Sequence, residues 1–303
     1  MKNTRRRGAL IASASALALT LAACGGESAD EGGSTDATTG ADAGPITIGI
    51  HSGWEEGIAV SHLWQHILEE QGYEVEMETA DAGVVFTGLA QGDYDVNFDT
   101  WLPNTHGHYL EQYGDDLEEL GSWFQEAPLT IAVNEDAPID SLAELADNAE
   151  LFGNRLVGIE SGAGLTKITQ EQVIPTYGLD GMDYLVSSTP AMLTELRAAV
   201  DAGENVAVTL WRPHWAYDEF PIKDLEDPEG ALGEPDDIFT YGTAGFSDTY
   251  PDVAEWMASF TMTDDQLHEL ENIMFNELDG SDNDAAVDQW LEANPDFVDS
   301  VIG

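Results

Sequence analysis

Three short segments of this chain carry tryptophan where a packed core does not call for it: Gly53-Trp54-Glu55-Glu56-Gly57, Asp99-Thr100-Trp101-Leu102-Pro103 and Leu210-Trp211-Arg212-Pro213-His214-Trp215. Each comes just after an apolar run that reads as a strand, at residues 46–50, 94–98 and 205–210, and each itself reads as a loop. In α/β folds ligands gather at the carboxyl ends of strands. Three indoles delivered there point to an aromatic cage, the usual protein device for holding a quaternary ammonium. A trimethylammonium group has no N–H to donate, so ring faces must hold it, at ~0.5–2 kcal/mol each. The candidate cage is Trp54, Trp101 and Trp211. Trp64, Trp256 and Trp290 sit at helical spacing among apolar residues and read as core, whereas Trp123 and Trp215 stay open.

A second constellation is metal-like. His62 and His66 are spaced i, i+4 on a predicted helix, and His106-Gly107-His108 follows, which together would suit a zinc-binding lipoprotein. The string His-Leu-Trp-Gln-His lacks the glutamate of a metalloprotease. Val60, Leu63, Trp64, Ile67 and Leu68 place the core on another face, so both histidines are expected in solvent beside Glu69 and Glu70. The chain contains no Gly-x-Ser-x-Gly, no cysteine set for catalysis, and no phosphate loop or other cofactor motif. A binding protein without metal or cofactor is therefore expected in preference to an enzyme.

The elements that must position these residues alternate strand and helix. The first set is strand 46–50, helix 58–71, strand 73–78, helix 83–91 and strand 94–98, with a further strand at 130–133. The second is helix 142–148, strand 156–160, helix 165–173, strand 184–187, a helix capped by Thr189 and Pro190 and closed by Gly203, then strand 205–210. After a strand at 237–241 the remainder reads as helices. This pattern predicts an α/β protein of two lobes, residues 46–132 plus 238–303 and residues 133–237, with the ligand cleft between them. Two connecting strands would permit hinge closure.

The N-terminus reads as an address. Lys2 and Arg5-Arg6-Arg7 precede a short apolar stretch ending in Leu21-Ala22-Ala23-Cys24, the layout of a bacterial lipoprotein signal over residues 1–23. The apolar run is shorter than the ~20 residues a bilayer-spanning helix needs. Cys24 is the only cysteine, so no disulfide is possible and lipidation is its expected purpose, anchoring the chain to the outer face of the cell membrane. Residues 24–44 are small and polar or acidic and read as a disordered tether. Beyond the signal only five basic residues face 59 acids, which excludes nucleic acid as a partner. Such a surface suits concentrated salt, where charges are screened within ~3 Å. Salt adaptation accounts for most of these acids.

Taken together, Gly53-Trp54-Glu55-Glu56-Gly57-Ile58-Ala59, Trp101-Leu102-Pro103-Asn104-Thr105-His106, Gly162-Ala163-Gly164-Leu165 and Trp211-Arg212-Pro213-His214-Trp215 resemble the glycine betaine/proline betaine-binding proteins of ABC importers. The resemblance covers residues 46–303. It implies a two-lobed clamp of the periplasmic-binding-protein type II class, acting as a monomer with permease subunits as partners in osmoprotectant uptake. It implies a trimethylammonium in the cage of Trp54, Trp101 and Trp211. The ligand carboxylate would be taken by His106 and the amides of Gly164 and Leu165, where a strand gives way to a helix start, a natural anion site. His214 and Trp215 are candidates for a layer behind the cage, His214 lying near the ligand or bracing its loop. A choline- or carnitine-type receptor of the same fold is the alternative.

Overall fold

The computed structural model describes residues 44–303. The signal, Cys24 and the tether before Gly44 lie outside the described residues. Among the described residues no helix is long and apolar enough to cross a membrane.

Ten strands form two five-stranded sheets. The first sheet takes β1 (Ile46–His51), β2 (Val75–Ala80), β3 (Val96–Leu102), β4 (Leu117–Ala127) and β10 (Asp236–Thr243), in the order β2-β1-β3-β10-β4. The second takes β5 (Leu129–Asn134), β6 (Arg155–Val157), β7 (Asp183–Leu185), β8 (Ala207–Trp211) and β9 (Ile222–Asp224), in the order β7-β6-β8-β5-β9. In each sheet the first three strands run parallel and the last two are antiparallel additions. The chain crosses from the first sheet to the second at Pro128 and returns between β9 and β10, a few residues ahead of the divisions drawn from sequence at 132 and 237.

Helices fill the connections: α1 (Glu55–Glu70), α2 (Ala82–Gln91), α3 (Gly107–Tyr113), α4 (Leu142–Leu145), α5 (Gly164–Ile168), α6 (Ile174–Tyr177), α7 (Thr189–Ala202) and α8 (Ala216–Glu219). The C-terminal group is α9 (Phe246–Thr249), α10 (Pro251–Ser259), α11 (Asp264–Glu271), α12 (Asn283–Ala293) and α13 (Phe297–Ile302). The buried face of α1 carries Val60, Leu63, Trp64, Ile67 and Leu68, all fully buried, as its 3.6-residue period dictates. Trp64 stacks on Phe98 at 5.4 Å and meets Phe260 edge-on at 5.3 Å, tying α1, β3 and the end of α10 into one core.

Several expectations shift. The eleven-residue strand β4 is not foreseen from sequence, because its exposed and buried residues do not alternate cleanly around bulges in its pairing with β10. Trp101 and Trp211 are not loop residues. They lie inside β3 and at the end of β8, opposite Ile238 and Leu129, because antiparallel neighbours extend both ladders. The cap of α7 is Ser188 instead of Thr189; Ser188 Oγ accepts the Ala191 N–H at 3.3 Å. His62 and His66 are half-buried instead of free in solvent, because α12 packs over that face and brings Asp284 to 3.2 Å of His62 and Asp288 to 3.4 Å of His66.

Replacing Trp64 with Ala removes a fully buried indole and should destabilise the fold by about 3–5 kcal/mol. Denaturant unfolding checks this, and any ligand affinity measured below the new melting temperature should stay close to that of the native protein.

Candidate functional site

Trp54, Trp101, Trp211, His106, Gly164 and Leu165 line one narrow cavity, together with Glu56, Thr105 and a few apolar side chains. The first sheet contributes Trp101 from β3, and Trp54 sits at the cap of α1. The second contributes Trp211 from β8, while Gly164 and Leu165 open α5. Gly164 has no alternative. A Cβ there would fall on the Thr105 carbonyl oxygen, so only glycine lets these two backbones meet. All three indoles are almost completely buried, with Trp54 at 6%, Trp101 at 3% and Trp211 at 4% exposure.

Every cage indole donates its N–H to a carboxylate. Trp101 Nε1 reaches Asp99 Oδ1 at 2.7 Å, Trp211 Nε1 reaches Glu56 Oε2 at 2.9 Å, and Trp54 Nε1 reaches Glu160 Oε2 at 3.4 Å. Glu160 is in turn fixed by the Thr189 N–H at 2.7 Å and the Thr189 hydroxyl at 3.0 Å. A bond at the ring edge sets the ring plane and leaves its face for the cavity. Two of the three bonds join the sheets, Trp54 on the first bonding Glu160 on the second, and Trp211 on the second bonding Glu56 on the first. Tyr109 adds a third tie, its hydroxyl donating to the Gly162 carbonyl at 2.9 Å.

His106 is fully buried and stacks on Trp54 at 5.4 Å with rings 7° from parallel. Its Nδ1 accepts the Trp101 backbone N–H at 2.9 Å, and the His106 backbone N–H returns to the Trp101 carbonyl at 2.9 Å. An Nδ1 used as acceptor places the ring proton on Nε2. Nε2 is buried and has no partner among the described residues. Burial, with His51 and His108 nearby, holds the ring well below its usual pKa, so it is a neutral donor at physiological pH. Gly164 and Leu165 are the first residues of α5, where amide N–H groups have no acceptor within the helix. The residues that line the cavity thus include three indoles and three potential N–H donors, His106, Gly164 and Leu165.

The acids also matter, and sequence reasoning missed them by assigning nearly every Asp and Glu to salt adaptation. Glu55, Glu56, Asp99 and Glu271 are buried. Burial pushes Asp99 up to about 7, and Glu56 well above the ordinary range, with Asp99 and then Glu271 as further causes. The available signal was position: Glu56 stands two residues after Trp54, Asp99 two before Trp101, and Glu160 at the end of its predicted strand.

His214 and Trp215 do not line the cavity. His214 packs edge-on against Trp211 at 4.8 Å, accepts the Ala216 N–H at 3.0 Å and lies 3.3 Å from Glu55 Oε2, a contact not aligned as a hydrogen bond. It braces Trp211 and the segment that follows β8. Trp215 rests on His214 and Phe220. Trp123 is core, its N–H bonded to the Phe98 carbonyl at 2.7 Å. Among the described residues no group of His, Cys, Asp and Glu is arranged to hold a metal ion, and His62 and His66 face α12 away from His106.

Residues 44–293 match the family model described as the substrate binding domain of the ABC-type glycine betaine transport system. The chain is 32% identical over 164 residues to the glycine betaine/carnitine transport binding protein of Listeria monocytogenes, a stretch that covers 54% of this chain and 52% of that protein. Among solved structures, the glycine betaine/L-proline-binding protein of Borrelia burgdorferi superposes with a TM-score of 0.79 at 25% identity, over 86% of this chain and 97% of that one. The lactococcal OpuAC in its closed, glycine betaine-bound form gives 0.79 at 23% identity, over 86% and 100%, a likeness of fold. The architecture is the two-lobed type II clamp expected from sequence. By its family match over most of its length, the chain belongs to the OpuAC family of substrate-binding domains, which bind solutes for ABC importers and are not enzymes.

Proposed function

We propose that this protein captures glycine betaine, or a close relative such as proline betaine, between two lobes, one built on each sheet, and delivers it to an ABC permease for osmoprotection. The carrying observation is convergence: three buried tryptophans, a neutral histidine and the two residues that start α5 line a single cavity. The trimethylammonium goes to Trp54, Trp101 and Trp211. The carboxylate goes to His106 Nε2 and the amides of Gly164 and Leu165. A zwitterion is satisfied at both ends, which a simple cation or a simple anion is not. Two similar proteins, from Listeria and Borrelia, carry betaine in their names, in keeping with this reading. We infer further that the mature chain is a monomer held to the outer face of the membrane through a lipid on Cys24, the reading its N-terminal sequence supports.

A choline-type ligand is the second reading, and Glu56 is the observation that favours it. A carboxyl in the cavity wall suits a ligand with net positive charge more than a neutral zwitterion.

Replacing Trp101 or Trp211 with Ala should weaken betaine binding by about 1–3 kcal/mol through lost cation–π attraction and contact area. Titration calorimetry checks this, and native affinity in both variants rules the cage out. Choline leaves the donors of His106, Gly164 and Leu165 without an anion. Unpaired buried polar groups cost about 1–3 kcal/mol, so betaine should win by about tenfold or more. The acidic surface attracts choline from a distance, but that preference fades in concentrated salt, whereas a preference set inside the cavity does not. Competition at low and at molar salt separates the two readings. Choline equalling betaine at high salt makes this a choline receptor.

A further inference from the structure

At the N–H edges of two of the three cavity indoles lies a pair of carboxyl groups with no cation to balance them. Glu56 is 1% exposed, forms part of the cavity wall and accepts the Trp211 N–H at 2.9 Å. Asp99 is also 1% exposed and accepts the Trp101 N–H at 2.7 Å on one oxygen. Its other oxygen has no hydrogen-bond partner among the described residues, and the Glu56 side chain is a neighbour of the Asp99 carboxyl. The packing is enforced at Gly57, where a Cβ would sit 2.5 Å from that Asp99 oxygen. Only a residue without a side chain lets Asp99 press so closely on the first turn of α1.

The surroundings offer no counter-charge. Glu55 approaches from α1 and Glu271 from the end of α11, both buried acids. Beyond Glu271 stands Asp218 of α8. From β1 comes His51, which burial lowers to about 3 and so keeps neutral. His214, from the segment after β8, faces Glu55. The described Arg and Lys ion pairs all engage other acids: Glu195, Glu219, Asp224 and Asp140. Two neighbouring buried carboxyls, among two more acids and no cation, cannot both be ionised at modest cost. Burial of Asp99 and Glu56 raises both in the same sense.

We propose that the Glu56–Asp99 pair holds a proton while no cation occupies the cage, and releases it to solvent when a quaternary ammonium enters. The event is an exchange of like charges. An O–H bond of the pair breaks, its electrons stay on the carboxylate, the proton passes to buffer and the ammonium takes over the neutralising role from the cavity that Trp101 and Trp211 line. The inference rests on the cage reading above and adds to it. The ligand carboxylate plays no part, so choline and betaine should both expel the proton. His106 cannot be the source, because it is already neutral.

The sign follows from linkage. Where the pair is protonated in the empty protein, binding must expel a proton, so the association constant rises with pH, approaching tenfold per unit for one proton released. The rise should flatten above the titration of Asp99, at about 7. For the empty protein a raised carboxyl pKa means the folded state binds more protons than the unfolded one. This contribution to stability is therefore full at acid pH and is lost as pH climbs from about 4 to about 7. The melting temperature of the native protein should fall relative to that of Asp99→Asn across that window.

Calorimetry of the full chain with glycine betaine, near pH 6.5 in phosphate and in imidazole buffer, reads the released proton from the difference in heat. The expected result is about 0.5–1 proton per ligand, falling to near zero when Asp99→Asn is combined with Glu56→Gln. Buffer-independent heat in the native protein overturns the proposal. Should that double variant bind too weakly to measure, the native pH profile decides, and an affinity constant from about pH 5.5 to 7.5 is the contrary result. Absence of binding to both betaine and choline in every buffer instead defeats the cage reading on which the proposal stands.

Discussion

An indole can face a cavity usefully only if its edge is held, and in this protein each of the three cavity indoles is held by a carboxylate at its N–H. Much else in the structure depends on those three bonds. They set ring planes, they place negative charge at the ring edges, and two of them span the sheets. Thr189 is diverted from capping α7 to fixing Glu160, and Ser188 takes over the cap. Gly57 is bare so that Asp99 can reach the start of α1, and Gly164 is bare so that α5 can meet Thr105. Glycine here marks contacts that a methyl group would prevent.

In the proposed reading the cavity divides two tasks by chemistry. Ring faces suit a cation that cannot donate a hydrogen bond. Buried N–H donors suit an anion, provided the donor is neutral and correctly oriented. His106 meets both conditions through one contact, because the Trp101 N–H occupies Nδ1 and leaves the proton on Nε2. In that reading Trp101 serves both halves, its ring lining the cavity and its backbone orienting the imidazole. The local cause is the tight segment between Trp101 and His106, closed by the return bond from the His106 backbone N–H to the Trp101 carbonyl.

Acidity has two meanings in this chain. Most acids among the described residues are at least partly exposed, on a protein with few bases. Such charges keep it solvated and act at a distance only in dilute salt. Glu55, Glu56, Asp99 and Glu271 differ in kind, since burial removes both water and screening. A composition count cannot separate these populations. Residues alike in sequence become opposites once the chain is folded.

The sequence by itself determined the α/β alternation, the helix α1 with its buried face, and the three segments that carry the cavity tryptophans. It did so because apolar periodicity and residue type are local properties. His106, Gly164 and Leu165 were legible through family resemblance, since a lone histidine or a Ser-Gly-Ala-Gly string says little alone. Tertiary structure decided the rest. Strand β4, and the extension of β3 and β8 through Trp101 and Trp211, arise from antiparallel partners more than a hundred or about eighty residues away in the chain. The half-buried state of His62 and His66 comes from α12, over two hundred residues later. The roles of Glu56, Asp99 and Glu160 come from burial and from which indole each one meets, and burial is a property of the folded whole.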